Sequence, residues 1–402
     1  MRCVIVGGGV VGASIAWHLA QKRLGEVVLL ERDRLGSGTT WHSAGNITWK
    51  PSRDHDAPIL AAIGTLARLK AEAGQETGWL KTGRLFIAQS AETRRNFEAF
   101  DRVARERGIE ARWIEPREAA RLNPLLDPSA VEAVWLNSLS GRLNPADLTA
   151  AYASAARRAG ATIRENVEVS ALSATGGRAA GVETSAGFIP ADRVVVAAGL
   201  WSRPLLEPLG VALAQWPCEH FYLIADVSPQ LAKETPSFVA PDDLLYGREE
   251  VGRFLFGCFD ENAKTRDPAS LPKPFSFTLL PPDWDKIAPY VERAMRLFPA
   301  LAQAPIRHFV NGPESFTPDG SPLIGRVGEI DGLLVATAMN SAGVTWSAMT
   351  GALIADLVAN ATPRFDARPY DPTRFHDKGR DLAWLKAEIS AVVSRGYQNQ
   401  NR

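Results

Sequence analysis

The sequence of 402 residues has few cysteines and no net charge, and each scarcity excludes a class of protein. Cys3, Cys218 and Cys258 lie far apart without a C-x-x-C pair, which argues against a disulfide framework or a zinc site and favours a reducing compartment. Lys and Arg number 45, as do Asp and Glu, and no block of one sign stands out. This balance argues against a nucleic-acid partner and against a polybasic membrane anchor.

Long apolar runs are also missing. No run approaches the roughly 18 residues that a membrane-spanning helix needs, and we expect no signal peptide before the first predicted strand. Hydrophobic residues make up 46% of the chain and charged residues 22%, which is typical of a folded globular protein. We therefore expect a cytoplasmic protein of two or three domains without a membrane partner.

What the sequence does contain, at its start, is the pattern of a dinucleotide-binding β-α-β unit. A short apolar strand over Val4–Val6 runs into G-x-G-x-x-G, and a helical pattern follows from about Val10 to Lys22. Glycines at the three fixed positions permit a tight turn, a close approach to a pyrophosphate, and close packing of helix on strand. The residues expected to contact the dinucleotide here are Gly7, Gly9, Val10, Val11 and Gly12.

Glu31 ends the second predicted strand, 19 residues after Gly12, where an acidic side chain accepts the ribose 2′-hydroxyl. This acid disfavours a 2′-phosphate and therefore NADP. The glycines alone do not choose between NAD and FAD. A distant strand that ends in small residues, Val194–Gly199, favours FAD, because an uninterrupted NAD domain completes its strands within about 150 residues.

Short apolar strands with glycine-containing turns, typical of a nucleotide-binding domain, recur in the middle and near the end of the chain. Two stretches with a different residue pattern separate them. We predict an α/β fold, α+β overall, in which a discontinuous Rossmann-like FAD-binding domain carries an inserted antiparallel-sheet substrate domain. The predicted FAD-binding domain comprises 1–80, 141–215 and 313–365, the substrate domain comprises 81–140 and 216–312, and 366–402 form a C-terminal extension.

The loop Gly36–Gly45 contains a Trp41-His42 pair and resembles the flavin-attachment segment of the dimethylglycine and sarcosine dehydrogenase family. Three further segments resemble flavin-proximal segments of the same family, in the same order: Asn311–Gly320, Pro322–Gly325 and Met339–Gly343. The resemblance covers nearly the whole chain and implies a fold of the D-amino acid oxidase and glutathione reductase type. It also implies one FAD, bound covalently through His42, whose neutral imidazole is a competent nucleophile. The alternative is that His42 only touches the cofactor.

Motif and resemblance together give the predicted cofactor-binding residues. They are Gly7, Gly9, Val10, Val11, Gly12, Glu31, Arg32, Thr39, Thr40, His42, Ala44, Gly45, Val169, Ala198, Gly199, Trp201, Asn340, Gly343 and Val344. The chain departs from the family pattern at Ser43, where Ala is usual, at Ala338, where Gly is usual, and at Trp346, which interrupts a glycine-rich stretch. Long family members also carry a C-terminal folate-binding domain, and we expect this chain to correspond to the flavin domain alone and not to bind folate.

Two candidate catalytic residues follow from the resemblance. His220 lies in a segment that resembles the family's strand with an active-site histidine, and Tyr246 in one that resembles its tyrosine-bearing strand. Hydride leaves only from a neutral amine, so a histidine that accepts or relays a proton is useful there. Tyr246 can donate a hydrogen bond or line the cavity. The alternative for both is simple packing, and Arg248 and Lys50 are candidates for contact with a substrate carboxylate.

The resemblance implies an FAD-dependent oxidoreductase of the CH–NH class that oxidises an N-methylated amine or amino acid, such as dimethylglycine or sarcosine. Hydride transfer gives an iminium, which hydrolyses to formaldehyde and the demethylated amine. One alternative is oxidation of an unmethylated or cyclic amino acid, as by glycine or proline oxidases. Another is a flavin-binding subunit of a hetero-oligomer. The electron acceptor is oxygen or an electron-transfer flavoprotein, and both homo- and hetero-oligomers are compatible with the sequence.

Overall fold

The computed structural model describes residues 1–51, 56–328 and 330–395, and two large sheets organise them. The strands are β1 (Arg2–Val6), β2 (Glu26–Leu30), β3 (Asn46–Ile47), β4 (Arg84–Ala88), β5 (Ala111–Ile114), β6 (Ala133–Asn137), β7 (Gly141–Arg142), β8 (Thr162–Arg164), β9 (Val169–Thr175), β10 (Arg178–Thr184), β11 (Gly187–Pro190), β12 (Arg193–Val196), β13 (Trp216–Ala225), β14 (Ser237–Ala240), β15 (Leu245–Glu250), β16 (Arg253–Cys258), β17 (Ile306–Phe316), β18 (Leu323–Arg326) and β19 (Leu333–Thr337). The helices are α1 (Val10–Lys22), α2 (Asp56–Ala73), α3 (Ala91–Glu106), α4 (Pro116–Leu122), α5 (Pro145–Arg158), α6 (Ser202–Leu206), α7 (Trp284–Leu297), α8 (Gly343–Val358) and α9 (Leu382–Ser394).

The first large sheet has the strand order β18-β19-β12-β1-β2-β8. Its strands run parallel except for β18, which is antiparallel to β19. Continuous apolar runs suit this arrangement, because a parallel sheet is covered on both faces. Helix α1 packs against α5 and α8 on one face. A separate three-stranded antiparallel sheet has the order β11-β10-β9.

The second large sheet has the order β17-β13-β16-β15-β14-β4-β6-β5. Its strands come from residues 84–137 and 216–316, and all neighbours are antiparallel except β14 and β4. Alternation divides its side chains between two faces. One face packs under α7 around Phe238, Phe254 and Phe298, and the other carries Phe86, Val239 and Tyr246 toward a cavity.

Most predicted elements agree with the structure. Helix α1 has the predicted bounds, and Asn144 caps α5 by accepting hydrogen bonds from the backbone amides of Ala146 and Asp147. Helix α8 begins at Gly343, directly after a turn in which Ser341 has a left-handed backbone conformation. The domain boundaries stay a prediction, and 396–402 of the predicted extension lie outside the described residues. Among the helices described, none is both long and apolar enough to cross a membrane.

Candidate flavin and substrate site

A cavity of about 530 Å³ opens at the carboxyl ends of β1, β2, β12 and β19. In an open parallel sheet this edge is where ligands bind, since strand ends and helix N-termini meet there. Most of the predicted cofactor residues line this cavity, namely Gly7, Gly9, Val10, Val11, Glu31, Arg32, Thr39, Thr40, Val169, Ala198, Gly199, Trp201, Asn340, Gly343 and Val344. Four predicted residues do not line it: Gly12, His42, Ala44 and Gly45.

Close approaches of backbone atoms explain why glycine occupies positions 7 and 12. Gly7 has φ +109°, and a Cβ there would lie 2.5 Å from the Ala197 carbonyl oxygen. A Cβ at Gly12 would lie 2.0 Å from the carbonyl oxygen of Gly7, so Gly12 allows α1 to pack on the end of β1 without itself lining the cavity. Gly9 at the N-cap has no side chain, so the amino end of α1 presents its amides and positive dipole end to the cavity.

Glu31 and Arg32 shape the end of β2. The Glu31 carboxylate accepts hydrogen bonds from the backbone amides of Gly8 at 2.6 Å and Asp33 at 3.0 Å, which fixes its orientation. Burial raises the pKa of this carboxyl, and the two amides oppose the shift. The Arg32 guanidinium lies 3.8 Å from the Trp201 ring centroid. Together these side chains place an acceptor and a flat cationic surface at the edge of the first cavity.

The turn after β19 holds three non-glycine residues in the left-handed region. Ala338, Asn340 and Ser341 have φ of 53°, 49° and 63°. Glycine adopts such φ values without strain, which explains why a glycine is usual at the first position. Asn340 holds the turn, because its Oδ1 accepts a hydrogen bond from the Thr317 amide at 2.9 Å. Strained turns of this kind concentrate at functional sites.

A second cavity of about 1000 Å³ lies between the eight-stranded sheet and the first cavity. Ala44 and Gly45, predicted cofactor residues, line this second cavity, as do Trp346 and both candidate catalytic residues. The two cavities share a boundary formed by Ser43, Glu314, Asn340, Ser341 and Val344. A molecule in the second cavity therefore lies against a molecule in the first.

His220 and Tyr246 form a pair on the sheet face that lines the second cavity. His220 Nε2 lies 2.9 Å from the Tyr246 hydroxyl, and the two rings are nearly parallel, with centroids 5.8 Å apart. The phenol lies over Gly257, where a Cβ would come within 2.5 Å of its hydroxyl. The sequence segments that carry the pair are 26 residues apart, and strands β13, β16 and β15 bring them together.

His42 is buried beside the cavity boundary and lines neither cavity. A Cβ at Gly312 would lie 2.4 Å from its ring, so the glycine lets the imidazole pack on β17. His42 Nδ1 is 3.8 Å from Glu314 Oε1, and His42 Nε2 is buried without a hydrogen-bond partner in the described part of the chain. Burial lowers the pKa of His42, while Glu314 opposes the shift. Burial thus favours the neutral form of the ring.

A cationic pair lines the second cavity, and only one of its members was expected. Arg84 is buried, and burial lowers its pKa to about 9. Lys50, the expected member, lines the same cavity, and burial together with the charge of Arg84 lowers its pKa to about 8. Arg248, the other candidate for a carboxylate, instead donates to the Ala44 carbonyl and pairs with Glu250 at 2.5 Å.

No local sequence pattern points to Arg84 as a functional residue. It is the first residue of β4 and follows no motif, and its burial depends on β14 and β6, which come from distant parts of the chain. Glu314 lies in the segment Asn311–Gly320, and the resemblance implies no role for it. Its position at the boundary of both cavities follows from the register of β17 on β13.

Comparison with known proteins places this geometry in a family. Residues 2–357 match the family described as FAD dependent oxidoreductase. The chain belongs to that family. FAD is therefore the cofactor of the family, and the glycine cradle and the oriented Glu31 of the first cavity fit such a group.

The sequence relatives include 4-methylaminobutanoate oxidase (formaldehyde-forming) of Paenarthrobacter nicotinovorans, which is 33% identical over 398 residues, 99% of this chain and 48% of the relative. Mitochondrial dimethylglycine dehydrogenase of Mus musculus is 31% identical over 405 residues, 98% of this chain and 46% of the relative. The chain thus spans about half the length of these relatives. The resemblance drawn from the motifs is confirmed.

A solved structure shows the same fold. L-proline dehydrogenase from P. horikoshii superposes with a TM-score of 0.81 at 25% identity, covering 94% of this chain and 98% of that one. The predicted fold class, a discontinuous FAD-binding fold of the D-amino acid oxidase type with helices and several sheets, is confirmed. The individual site residues stay predictions, as does the covalent bond.

Proposed function

We propose that this chain oxidises a secondary or tertiary N-methylated amine or amino acid, such as sarcosine or dimethylglycine, to an iminium that hydrolyses to formaldehyde and the demethylated amine. The observation that carries the proposal is the shared boundary of the two cavities. A substrate in the 1000 Å³ cavity lies against the cofactor cavity at Glu314, Asn340 and Val344 while it contacts the His220–Tyr246 pair. The relatives with N-methylated substrates in their names support the choice of amine.

Bound FAD supplies the hydride acceptor. The protein then has to present the amine in its neutral form, because a protonated nitrogen has no lone pair to assist departure of hydride. His220 is the candidate that accepts this proton, and the Tyr246 hydroxyl at 2.9 Å orients its ring. The left-handed turn and Asn340 hold the wall between cofactor and substrate in one conformation.

Covalent attachment of FAD through His42 is part of the proposal. The imidazole is buried and packed on Gly312, burial lowers its pKa, and its Nε2 has no hydrogen-bond partner among the described residues. Glu314 lies on the Nδ1 side, so it can hold the proton on that nitrogen and leave Nε2 as the nucleophile. The resemblance of the Trp41-His42 loop supports the same residue.

Acid precipitation tests this attachment. Wild-type protein should keep its yellow colour in the pellet, and His42→Ala should release the flavin into the supernatant. His308→Ala is the matched control, because His308 lies on the same strand as Gly312 but is exposed. Free flavin from the wild type would contradict the covalent bond and leave the fold intact.

Formaldehyde formation tests the reaction itself. The FAD-loaded chain is incubated with sarcosine, dimethylglycine and 4-methylaminobutanoate, with glycine and proline as substrates that carry no N-methyl group. We expect formaldehyde in step with flavin reduction for at least one N-methylated compound. Flavin reduction by proline or glycine alone would favour the alternative that the proline dehydrogenase fold suggests.

Activity of the purified single chain also tests the alternative of a flavin-binding subunit, because a subunit that needs a partner would leave the flavin oxidised in the presence of all these substrates.

The electron acceptor, oxygen or an electron-transfer flavoprotein, stays a prediction, as do the cytoplasmic location and the oligomeric state. Anaerobic reduction followed by air distinguishes the acceptors, since a flavin that reoxidises rapidly uses oxygen.

A further inference from the structure

Glu314 is a buried acid whose two carboxyl oxygens have different surroundings. The side chain is 6% exposed, and its Oε1 lies 3.8 Å from His42 Nδ1. Its Oε2 is buried and has no hydrogen-bond partner among the described residues. A buried polar oxygen without a partner is costly. Oε2 therefore indicates that a group from outside the chain completes its surroundings.

No Lys or Arg among the described residues forms an ion pair with Glu314. Its ion-pair contact in that part of the chain is with His42. Burial lowers the pKa of this histidine, which favours the neutral form of the ring. A buried negative charge needs a positive partner, and a mostly neutral imidazole supplies little of one. The missing partner is therefore a cation.

The other carboxylates that line the second cavity do not share this position. Asp242 accepts a hydrogen bond from Thr93 Oγ1 at 2.8 Å, and Glu261 pairs with Arg293 at 2.8 Å. Glu92 is exposed to water. Among these acids of the cavity lining, Glu314 is the one that is buried and lacks a donor on one oxygen.

Glu314 lies where substrate and cofactor would meet, because it lines both cavities. On β17 it is two residues from Gly312, which is in register with His220 on β13. Glu314 and His220 therefore lie on one face of the sheet as diagonal neighbours, about 7–8 Å apart. One amine nitrogen with its methyl groups spans that gap, with the His220–Tyr246 pair on one side and the carboxylate on the other.

Oxidation of an amine creates positive charge at this place. When a C–H bond of the N-methyl group breaks, the hydride takes both electrons to the bound flavin, and the nitrogen lone pair forms the C=N bond. The amine thereby changes from a neutral molecule to an iminium cation. A fixed negative charge beside the nitrogen stabilises that cation more than the neutral amine, and so lowers the barrier.

We propose that Glu314 stabilises the positive charge that develops on the substrate nitrogen, as a catalytic residue distinct from the proton acceptor His220. The inference rests on the proposed function and deepens it, because it gives the electrostatic part of that reaction a residue of its own. It also makes Glu314 a determinant of specificity. Oxidation of an amine yields a cation, whereas oxidation of a 2-hydroxy acid yields a neutral carbonyl that gains nothing from this charge.

Ligand binding tests the charge without catalysis. Betaine (trimethylammonioacetate) has a positive nitrogen without a lone pair and is not oxidised. Its isostere 3,3-dimethylbutanoate has the same shape and the same carboxylate, with carbon in place of nitrogen. Binding to the FAD-loaded chain is followed by the change in flavin absorbance, with all proteins loaded to the same flavin content. Glu314→Gln should raise the Kd of betaine about 10- to 100-fold and leave that of the isostere unchanged.

Glu261→Gln is the matched control. It removes the same charge from the same cavity, but at a side chain already paired with Arg293, so the Kd of betaine should change less than about threefold. Glu314→Asp keeps the charge and should retain part of the preference for betaine. Equal losses for betaine and the isostere in Glu314→Gln, or a betaine Kd within about threefold of the wild type, would overturn the proposal. A wild type that binds the isostere more tightly than betaine would overturn it without any variant.

Flavin reduction tests the catalytic part. The ratio of the limiting reduction rate to the substrate Kd compares the transition state with free enzyme and free substrate. Glu314→Gln should lower this ratio about 10- to 100-fold, and Glu261→Gln should lower it less than about threefold. An unchanged ratio in Glu314→Gln would overturn the proposal.

Two further measurements separate this role from packing and from cofactor binding. Glu314→Gln should unfold at the same temperature as the wild type or higher without betaine, because it removes a buried charge that has no cation. A lower unfolding temperature with an unchanged preference for betaine would assign Glu314 to packing. Weaker FAD binding in the His42→Ala background, with the betaine Kd unchanged, would assign it to the cofactor. Either outcome would overturn the proposal.

The two proposals fail in different ways. If betaine binding depends on Glu314 but no N-methylated compound yields formaldehyde, the proposed reaction is wrong and the cation site stands. If formaldehyde forms at equal rates in the wild type and in Glu314→Gln, and betaine binds equally to both, the reaction stands and the role of Glu314 is wrong.

Discussion

The cofactor cavity and the substrate cavity are built by different means. The first gathers its residues at one edge of the parallel sheet, and much of its contact surface is backbone beside glycines. The second gathers side chains from α3, β4, β13, β14 and β15, together with loops, and buries a charged group, Arg84, among them. Backbone requirements leave a short pattern in the sequence, whereas a balance of buried charges does not.

Gly12→Ala should have the largest effect, because it disrupts the packing of α1 on β1 beside the cofactor cavity. A Cβ at this position lies 2.0 Å from the carbonyl oxygen of Gly7, and neither backbone segment can move without separating α1 from β1. We expect a loss of about 4 kcal/mol or more in the free energy of unfolding, in the exceptional range for one substitution, and no recovery of flavin. Gly64→Ala is the control, since nothing lies within 4 Å of a Cβ there and alanine favours the helix. Flavin retained in Gly12→Ala at the wild-type level would contradict the packing argument.

His220→Ala tests the substrate side at its proposed base. The variant should keep its flavin and lose about 10²–10⁴ in the rate of flavin reduction, the usual cost of removing a positioned base. The loss should be largest at the acidic end of a pH 6 to 9 series, where fewer amine molecules arrive neutral.

Anaerobic stopped-flow reduction measures both effects, and His308→Ala, an exposed histidine on the adjacent β17, is the control. If His220→Ala reduces the flavin at the wild-type rate with an unchanged pH profile, His220 only packs and the base lies elsewhere.

The same contrast explains what could be predicted from the sequence. The strand, glycines, helix and Glu31 of the first β-α-β unit are within 30 residues, so their geometry followed from spacing alone. His220 and Tyr246 came from resemblance, and their 2.9 Å contact depends on a sheet register that no local pattern shows. Arg84 was missed because its Nε and Nη1 atoms lack hydrogen-bond partners among the described residues, a condition that exists only once β4 is buried.

Glu31→Gln tests the cofactor cavity, with a smaller expected effect than that of Gly12→Ala. The amide keeps the shape of the side chain but removes the charge that accepts hydrogen bonds from Gly8 and Asp33. FAD binding, measured in the His42→Ala background where it is reversible, should weaken by about 1–3 kcal/mol. Glu26→Gln lies at the exposed start of the same strand and should leave the Kd unchanged. An unchanged Kd in the Glu31 variant would remove this side chain from the binding site.

Tyr246→Phe should have the smallest effect and gives the finest test of the comparison. The variant keeps the ring that stacks on His220 at 5.8 Å and removes the hydroxyl 2.9 Å from its Nε2. Loss of one such hydrogen bond is worth about 1 kcal/mol, so flavin reduction should slow roughly fivefold, far less than in His220→Ala. Tyr222→Phe removes a buried phenol from the same hydrophobic cluster, at a position two residues from His220 on β13, and should change the rate less than twofold. In the His220→Ala background the Tyr246 change should have no further effect, because the hydroxyl acts through the imidazole. An additive loss in the double variant would show instead that Tyr246 contacts the substrate on its own.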